Sequence, residues 1–199
     1  MNIVSFNKGL VTKKFNDFFY VDILENEEIS GSKRFLCKSR KSIKYQQKYI
    51  FVGDTVNLSE INYKNKTAII ENLLERKNIL SRPAVANISD IYIIQSFEQP
   101  KLNYLQLSNF LINAEFLKVK VSLILTKSDL ITPEKHSFLF EKFKNWGYKS
   151  KIFSLISNDE LSDLIRELKT KKCSIFMGPS GVGKTTLLNK IIPNVNRPT

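Results

Sequence analysis

Residues 178–186 read Gly-Pro-Ser-Gly-Val-Gly-Lys-Thr-Thr and fit G-x-x-x-x-G-K-[ST], a pattern whose chemistry is the binding of phosphate. Gly178, Gly181 and Gly183 let the backbone turn tightly and aim several N–H groups at one anion, with Pro179, Ser180 and Val182 completing the loop. Lys184 can reach the outer phosphates of a nucleotide, and the Thr185 hydroxyl can ligate Mg²⁺. Thr186 continues into a helix whose N-terminus adds partial positive charge. A glycine-rich turn that bound nothing would not also need the lysine and hydroxyl positions.

A second group of residues points to the base. Thr126, Lys127, Ser128 and Asp129 directly follow the apolar run 121–125, and ligands of open α/β sheets collect at the carboxyl ends of strands. Guanine presents N1–H and N2–H side by side, so one carboxylate, Asp129, can accept both and reject adenine. The stem of Lys127 can lie along the base plane. The tetrapeptide resembles the N-K-x-D guanine motif of GTPases. Thr126 stands where asparagine is usual, and loss of the amide that ties neighbouring loops predicts weaker base affinity. Ser154 and Leu155 resemble the S-A pair of the third GTPase base loop, which supports the base through backbone N–H groups.

These residues need a scaffold of parallel strands. The apolar runs 91–94, 119–125, 149–155 and 173–177 read as strands, and helical spacing covers 102–117, 134–146, 159–168 and 185–192. Alternation of the two predicts a mostly parallel sheet with helices on both faces. Upstream, residues 10–12, 18–23, 34–38, 49–52, 55–58 and 67–73 read as short strands, enough for a small OB-like barrel. The expected organisation is a barrel over 1–75, a linker over 76–87 ending near a proline, and the nucleotide domain over 88–199.

The net charge of +12 suggests a polyanionic partner, nucleic acid before membrane. Lys33, Arg34, Lys38, Arg40, Lys41, Lys44 and Lys48 fall in a stretch without an acidic residue, interleaved with Phe35, Tyr45, Tyr49 and Phe51. Cations for phosphates and rings for bases suit an RNA-binding surface. No apolar run approaches the roughly 20 residues of a membrane span. Two distant cysteines, Cys37 and Cys173, imply a reducing cytoplasm without a disulfide framework. The single His136 reads as a solvated helix residue.

The guanine motif precedes the phosphate loop, the reverse of the ordinary GTPase order. With a basic OB-like domain first, then Arg82-Pro-Ala-Val-Ala-Asn87, then the permuted motifs, the chain resembles the circularly permuted, ribosome small-subunit-dependent GTPases of the RsgA type over essentially all 199 residues. The resemblance implies an OB barrel plus a permuted P-loop GTPase domain. It also implies GTP or GDP with Mg²⁺, GTP hydrolysis in late maturation of the 30S subunit, and 16S rRNA contact through the barrel. The expected protein is a cytoplasmic monomer.

In the family, a switch I histidine, a D-x-x-G strand end and a C-terminal zinc domain should follow the phosphate loop. None occurs in this sequence, so the expectation is a C-terminally incomplete G domain with an exposed sheet edge, no zinc ligands, unknown catalytic residues and weak hydrolysis. Two other readings stay open. One is an RNA-binding module with an inactive nucleotide site. The other is an ATPase, since the same loop opens transporter ATPases and nucleotide kinases.

Overall fold

The computed structural model describes residues 7–25, 28–45, 49–155 and 161–192, leaving aside the side chains of residues 25, 28–33, 44 and 45. The chain forms two compact units, residues 1–88 and 89–199.

The first unit is a closed five-stranded barrel of OB type, in the order β1-β2-β3-β5-β4. Its strands are β1 (Asn7–Phe15), β2 (Phe18–Glu25), β3 (Glu28–Ser39), β4 (Thr55–Asn62) and β5 (Thr67–Leu73), with a short helix α1 (Lys41–Tyr45) after β3. Only the β3–β5 pair is parallel, and β1 closes against β4. Every second residue turns inward, so Val11, Phe19, Val21, Phe35, Cys37, Val56, Leu58 and Ile70 fill the interior.

Two expectations change here. Residues 49–52 form no ladder strand; Val52 makes one isolated bridge to Val85, and the segment is an irregular approach to the Gly53–Asp54 turn. Residues 76–87, expected as a linker, carry a hairpin of β6 (Ile79–Ser81) and β7 (Ala84–Ala86). Asn87 Nδ2 donates to the Gly53 carbonyl, the Ala86 N–H donates to Val52, and Arg76 clasps fully buried Asp54 at 2.7 and 2.8 Å. A buried carboxylate needs a charged partner, and the polar run supplied one.

The second unit is a four-stranded parallel sheet in the order β10-β9-β8-β11: β8 (Asp90–Ser96), β9 (Lys120–Thr126), β10 (Lys149–Ile152) and β11 (Ser174–Met177). All of β8 is buried, as its Ile-Tyr-Ile-Ile run requires of a central strand covered on both faces. The helices are α2 (Tyr104–Glu115), α3 (Pro133–Asn145), α4 (Leu161–Lys169) and α5 (Lys184–Ile191). Asn103 caps α2 by accepting from the Gln106 N–H, and Thr132 with Pro133 starts α3. On one face Tyr92, Ile94, Ile124 and Phe153 pack with Leu161, Leu164, Val182 and Leu187. Each such buried side chain contributes about 1.5–3 kcal/mol, which fixes α4, α5 and the loop before α5 against the strand ends.

Candidate functional site

All four strands run the same way, so their carboxyl ends form one edge, and the residues read from sequence as chemical converge there. Gly178 follows β11 directly. A Cβ on it would stand 2.1 Å from the Ile94 carbonyl oxygen, and its φ of +149° disfavours any side chain, so only glycine lets the chain turn off the sheet at this point. Gly183, at φ +91°, precedes α5, and a Cβ there would meet Leu155 Cδ1 at 2.9 Å. Val182 between them is fully buried, while Ser180 and Gly181 are exposed. Pro179 is half-buried, and its carbonyl accepts from the Lys184 ammonium. Burial holds the Lys184 pKa below its ordinary value. Thr185 is half-buried in the first turn of α5 and Thr186 exposed beside it.

Thr126 ends β9 fully buried. Its Oγ1 lies 2.6 Å from the Val182 carbonyl and 3.2 Å from that of Gln95. Threonine lacks the usual amide, yet the hydroxyl it keeps reaches the phosphate loop, because a strand-end side chain here needs little reach. Lys127 takes a left-handed conformation, φ +61°, and its ammonium donates to the Gln99 carbonyl. Ser128 opens a 3₁₀ turn, Ser128–Leu130, which leaves Asp129 exposed at the rim.

The Asp129 carboxylate accepts from the buried Ser154 hydroxyl at 2.5 Å. Ser154 thus joins the site by holding the Asp129 carboxylate through its side chain, and Leu155 joins by lying so close to Gly183 that a Cβ there would meet it. Three separate sequence segments are interlocked: 126–129 to the phosphate loop through Thr126, 154–155 to 126–129 through Ser154, and the phosphate loop to 154–155 through Gly183.

The sequence reading missed residues 95–100. Ser96 donates to the Pro100 carbonyl, Gln99 receives Lys127, and a Cβ on Gly181 would lie 3.5 Å from Pro100 Cδ. The available signal was position alone, the carboxyl end of a strand.

The barrel treats its basic stretch differently. Arg34 makes a two-pronged pair with Asp22 at 2.7 and 2.8 Å, and Arg40 reaches Glu71 at 2.6 Å and Glu60 at 3.0 Å. The run lacks acids in sequence, but neighbouring strands supply them in space. Lys38 lies 5.0 Å over the Phe18 ring and Lys41 is exposed. Lys48 and the side chains of Lys33, Lys44 and Tyr45 lie outside the described residues. Phe35 belongs to the core, edge-on to Tyr63, and Phe51 carries the Arg76 guanidinium; Tyr49 is exposed. The β1–β2 hairpin adds Lys13 over Tyr20 and Lys14 over Phe19, each at 5.9 Å, which the sequence reading had not singled out. Among the described residues no group of three His, Cys, Asp or Glu could hold a metal ion, and no helix is long and apolar enough to cross a membrane.

Comparison with known proteins agrees with this architecture. The chain is 39% identical over 187 residues to a small ribosomal subunit biogenesis GTPase RsgA of Prochlorococcus marinus (strain NATL1A), covering 94% of this chain and 58% of the relative. It is 36% identical to the protein of the same description from Clostridium botulinum (strain 657 / Type Ba4), over 93% of this chain and 61% of that one. The chain therefore spans about three-fifths of the length of these relatives. The crystal structure of YjeQ from Thermotoga maritima superposes with a TM-score of 0.82 at 29% identity, covering 96% of this chain and 66% of that one. YloQ, described as a circularly permuted GTPase, gives 0.80 at 28% identity with the same coverage. With the barrel, the parallel sheet and the permuted order of loops in place, the match of residues 73–199 to the sequence profile described as RsgA GTPase settles the family: the chain belongs to the RsgA GTPases.

Proposed function

We propose that this chain binds GTP and GDP with Mg²⁺ and carries the nucleotide-binding part of a GTPase that acts in biogenesis of the small ribosomal subunit. The relatives' descriptions supply the process, and one observation supplies the nucleotide: Asp129, oriented by Ser154, sits in the same interlocked edge as the phosphate loop. The residues fit the ligand, since the close approaches at Gly178 and Gly183 keep side chains out of the loop that would cradle phosphate.

Asp129 would accept from guanine N1–H and N2–H, with Lys127 along the base. Lys184 would leave the Pro179 carbonyl for the β- and γ-phosphates, and Thr185 would ligate Mg²⁺, whose charge offsets that of the phosphates. The barrel, with Lys38 and Lys41 accessible, would contact rRNA in the small subunit. That work is cytoplasmic and is done by a monomer.

Titration with fluorescent GDP and GTP, competed by ATP, tests the base reading. Lys184→Ala should weaken guanine-nucleotide binding about 100-fold, the loss of a charge-assisted contact or two. Asp129→Asn exchanges an acceptor for a donor opposite the position of guanine N2–H, and should turn preference toward xanthine nucleotides, which carry an oxygen there. Unchanged guanine affinity in both variants would refute the site. Stimulation of GTP hydrolysis by isolated small subunits tests the partner.

A further inference from the structure

The nucleotide reading uses only the carboxyl edge of the sheet. The opposite edge, where the strands begin, carries a concentration of basic side chains with no role in that reading. Lys120 opens β9 and Lys149 opens β10, while Lys171 and Lys172 lead into β11. α4 runs back along the sheet, so its last turn, with Arg166, joins them.

The pairing at this edge is lopsided. A single carboxylate, Glu167, faces three ammonium groups: Lys151 at 3.2 Å, Lys149 at 3.6 Å and Lys120 at 4.0 Å. It also accepts from the Tyr92 hydroxyl at 3.2 Å. Lys171 pairs with buried Asp90 at 3.0 Å, and Arg166 with Asp163. Lys151 and Lys171 are largely covered and suffice to balance Glu167 and Asp90. Lys120 and Lys149 remain 51% and 58% exposed, sharing a carboxylate that is already matched.

Ion pairs alone would not need this surplus. A lysine at 4.0 Å from a shared carboxylate, half in water, gains little from it, and like-charge neighbours work against each other. Such a cluster becomes favourable when a chain of phosphates replaces its counterions.

We infer that the amino edge of the sheet, centred on Lys120 and Lys149, is a second RNA-binding surface that grips the phosphate backbone independently of both the barrel and the nucleotide site. RNA is favoured over an acidic protein because spaced cations match a repeat of phosphates, and the Phe116 ring, 81% exposed four residues before Lys120, offers a base a stacking face. Since the two edges of the sheet are opposite, this one can hold RNA while the other holds nucleotide. The inference rests on the reading of the protein as a ribosomal-subunit factor only for the identity of the polyanion.

The test is fluorescence anisotropy of a labelled RNA oligonucleotide with the whole 199-residue chain, across a salt series. Lys120→Gln/Lys149→Gln should weaken binding about 5- to 10-fold at low salt and flatten the dependence of log K on log salt by about one unit or more, as loss of one or two phosphate contacts demands. Lys120→Arg/Lys149→Arg should preserve both, and GDP affinity should stay constant in every variant, which reports an intact fold.

Lys38→Gln/Lys41→Gln in the barrel should add to the loss rather than replace it. An unchanged slope in the glutamine variant would overturn the proposal, as would loss of all RNA binding through the barrel variant alone. Displacement of RNA by polyglutamate at equal charge concentration would assign the surface to acidic proteins and overturn it too. Failure of GDP binding in the unaltered chain would count against the nucleotide reading and leave this one standing.

Discussion

The barrel and the nucleotide unit are both built from short strands and both carry a sequence signal for an anion, yet the two signals fared differently in space. In the nucleotide unit the loops 126–129, 154–155 and 178–186 lie far apart in sequence and interlock through Thr126, Ser154 and Gly183. In the barrel, a stretch that looks uniformly basic gives up Arg34 to Asp22 and Arg40 to Glu71 and Glu60, and buries Phe35 in the core. A motif fixes residue types against a backbone geometry, so its meaning survives folding. A composition run fixes nothing about which acids other strands will bring alongside.

The largest effect that would sharpen this contrast is expected at Asp54, which is fully buried and held by Arg76. Asp54→Ala takes the carboxylate from both the Arg76 guanidinium and the Phe51 N–H and costs about 3–5 kcal/mol. It should unfold the barrel and its hairpin in thermal denaturation followed by circular dichroism, while GDP still binds the second unit. Loss of both transitions together would show that the units are not separable.

Next in size is the tether between base loop and phosphate loop. Thr126→Val keeps the shape of the side chain and leaves the buried Val182 carbonyl without its donor, at a cost of about 1–3 kcal/mol. GDP affinity should fall about 10-fold by the same arithmetic, with the barrel's stability unmoved. Thr126→Asn, with an amide in place of the hydroxyl, should recover part of the loss; full affinity in the valine variant would show that the interlock is incidental.

Smaller again is the effect within the basic stretch. If ion pairing has withdrawn the two arginines, Arg34→Gln/Arg40→Gln should reduce RNA affinity only about 2-fold, against about 5-fold for Lys38→Gln/Lys41→Gln, because paired exposed charges release fewer counterions. Equal losses would restore the simple reading of the run.

The sequence carried the convergence of residues 126–129, 154–155 and 178–186, the order of strands and helices in the second unit and the barrel as a class. It could not carry the hairpin at 79–86, because a polar run before a proline looks the same whether it joins domains or folds back on a buried Asp54. Nor could it carry the residues at 95–100, whose contributions are carbonyls and a ring edge, available to any side chain. Thr126 is the instructive case. Its type argued for loss of the amide tether, and its place at the end of β9 delivers the hydroxyl it keeps to Val182.

The last expected effect separates the two units by acid. Burial of the Glu167 carboxyl works against its ionisation, but the hydrogen bond and charge of Lys151, with Lys149 and Tyr92 beside them, outweigh this and hold its pKa below the ordinary carboxylate range. A carboxyl whose folded pKa is depressed contributes stability that is complete above its unfolded pKa, about 4.3 for glutamate, and is lost as pH falls through the folded value. In the barrel, Glu71 is also held low, by the Arg40 and Ser59 hydrogen bonds, but its partner Arg40 is exposed to solvent that screens the pair. Acidification below about pH 4 should therefore destabilise the second unit through Glu167 by on the order of 1 kcal/mol, read as a fall in its melting temperature. Glu167→Gln should remove that part of the acid sensitivity while lowering stability at neutral pH. Replacing Glu71 by Gln should leave the barrel's acid profile nearly unchanged. If the Glu71 variant proved the more acid-resistant of the two, exposure would be a poor guide to which pairs hold these units together.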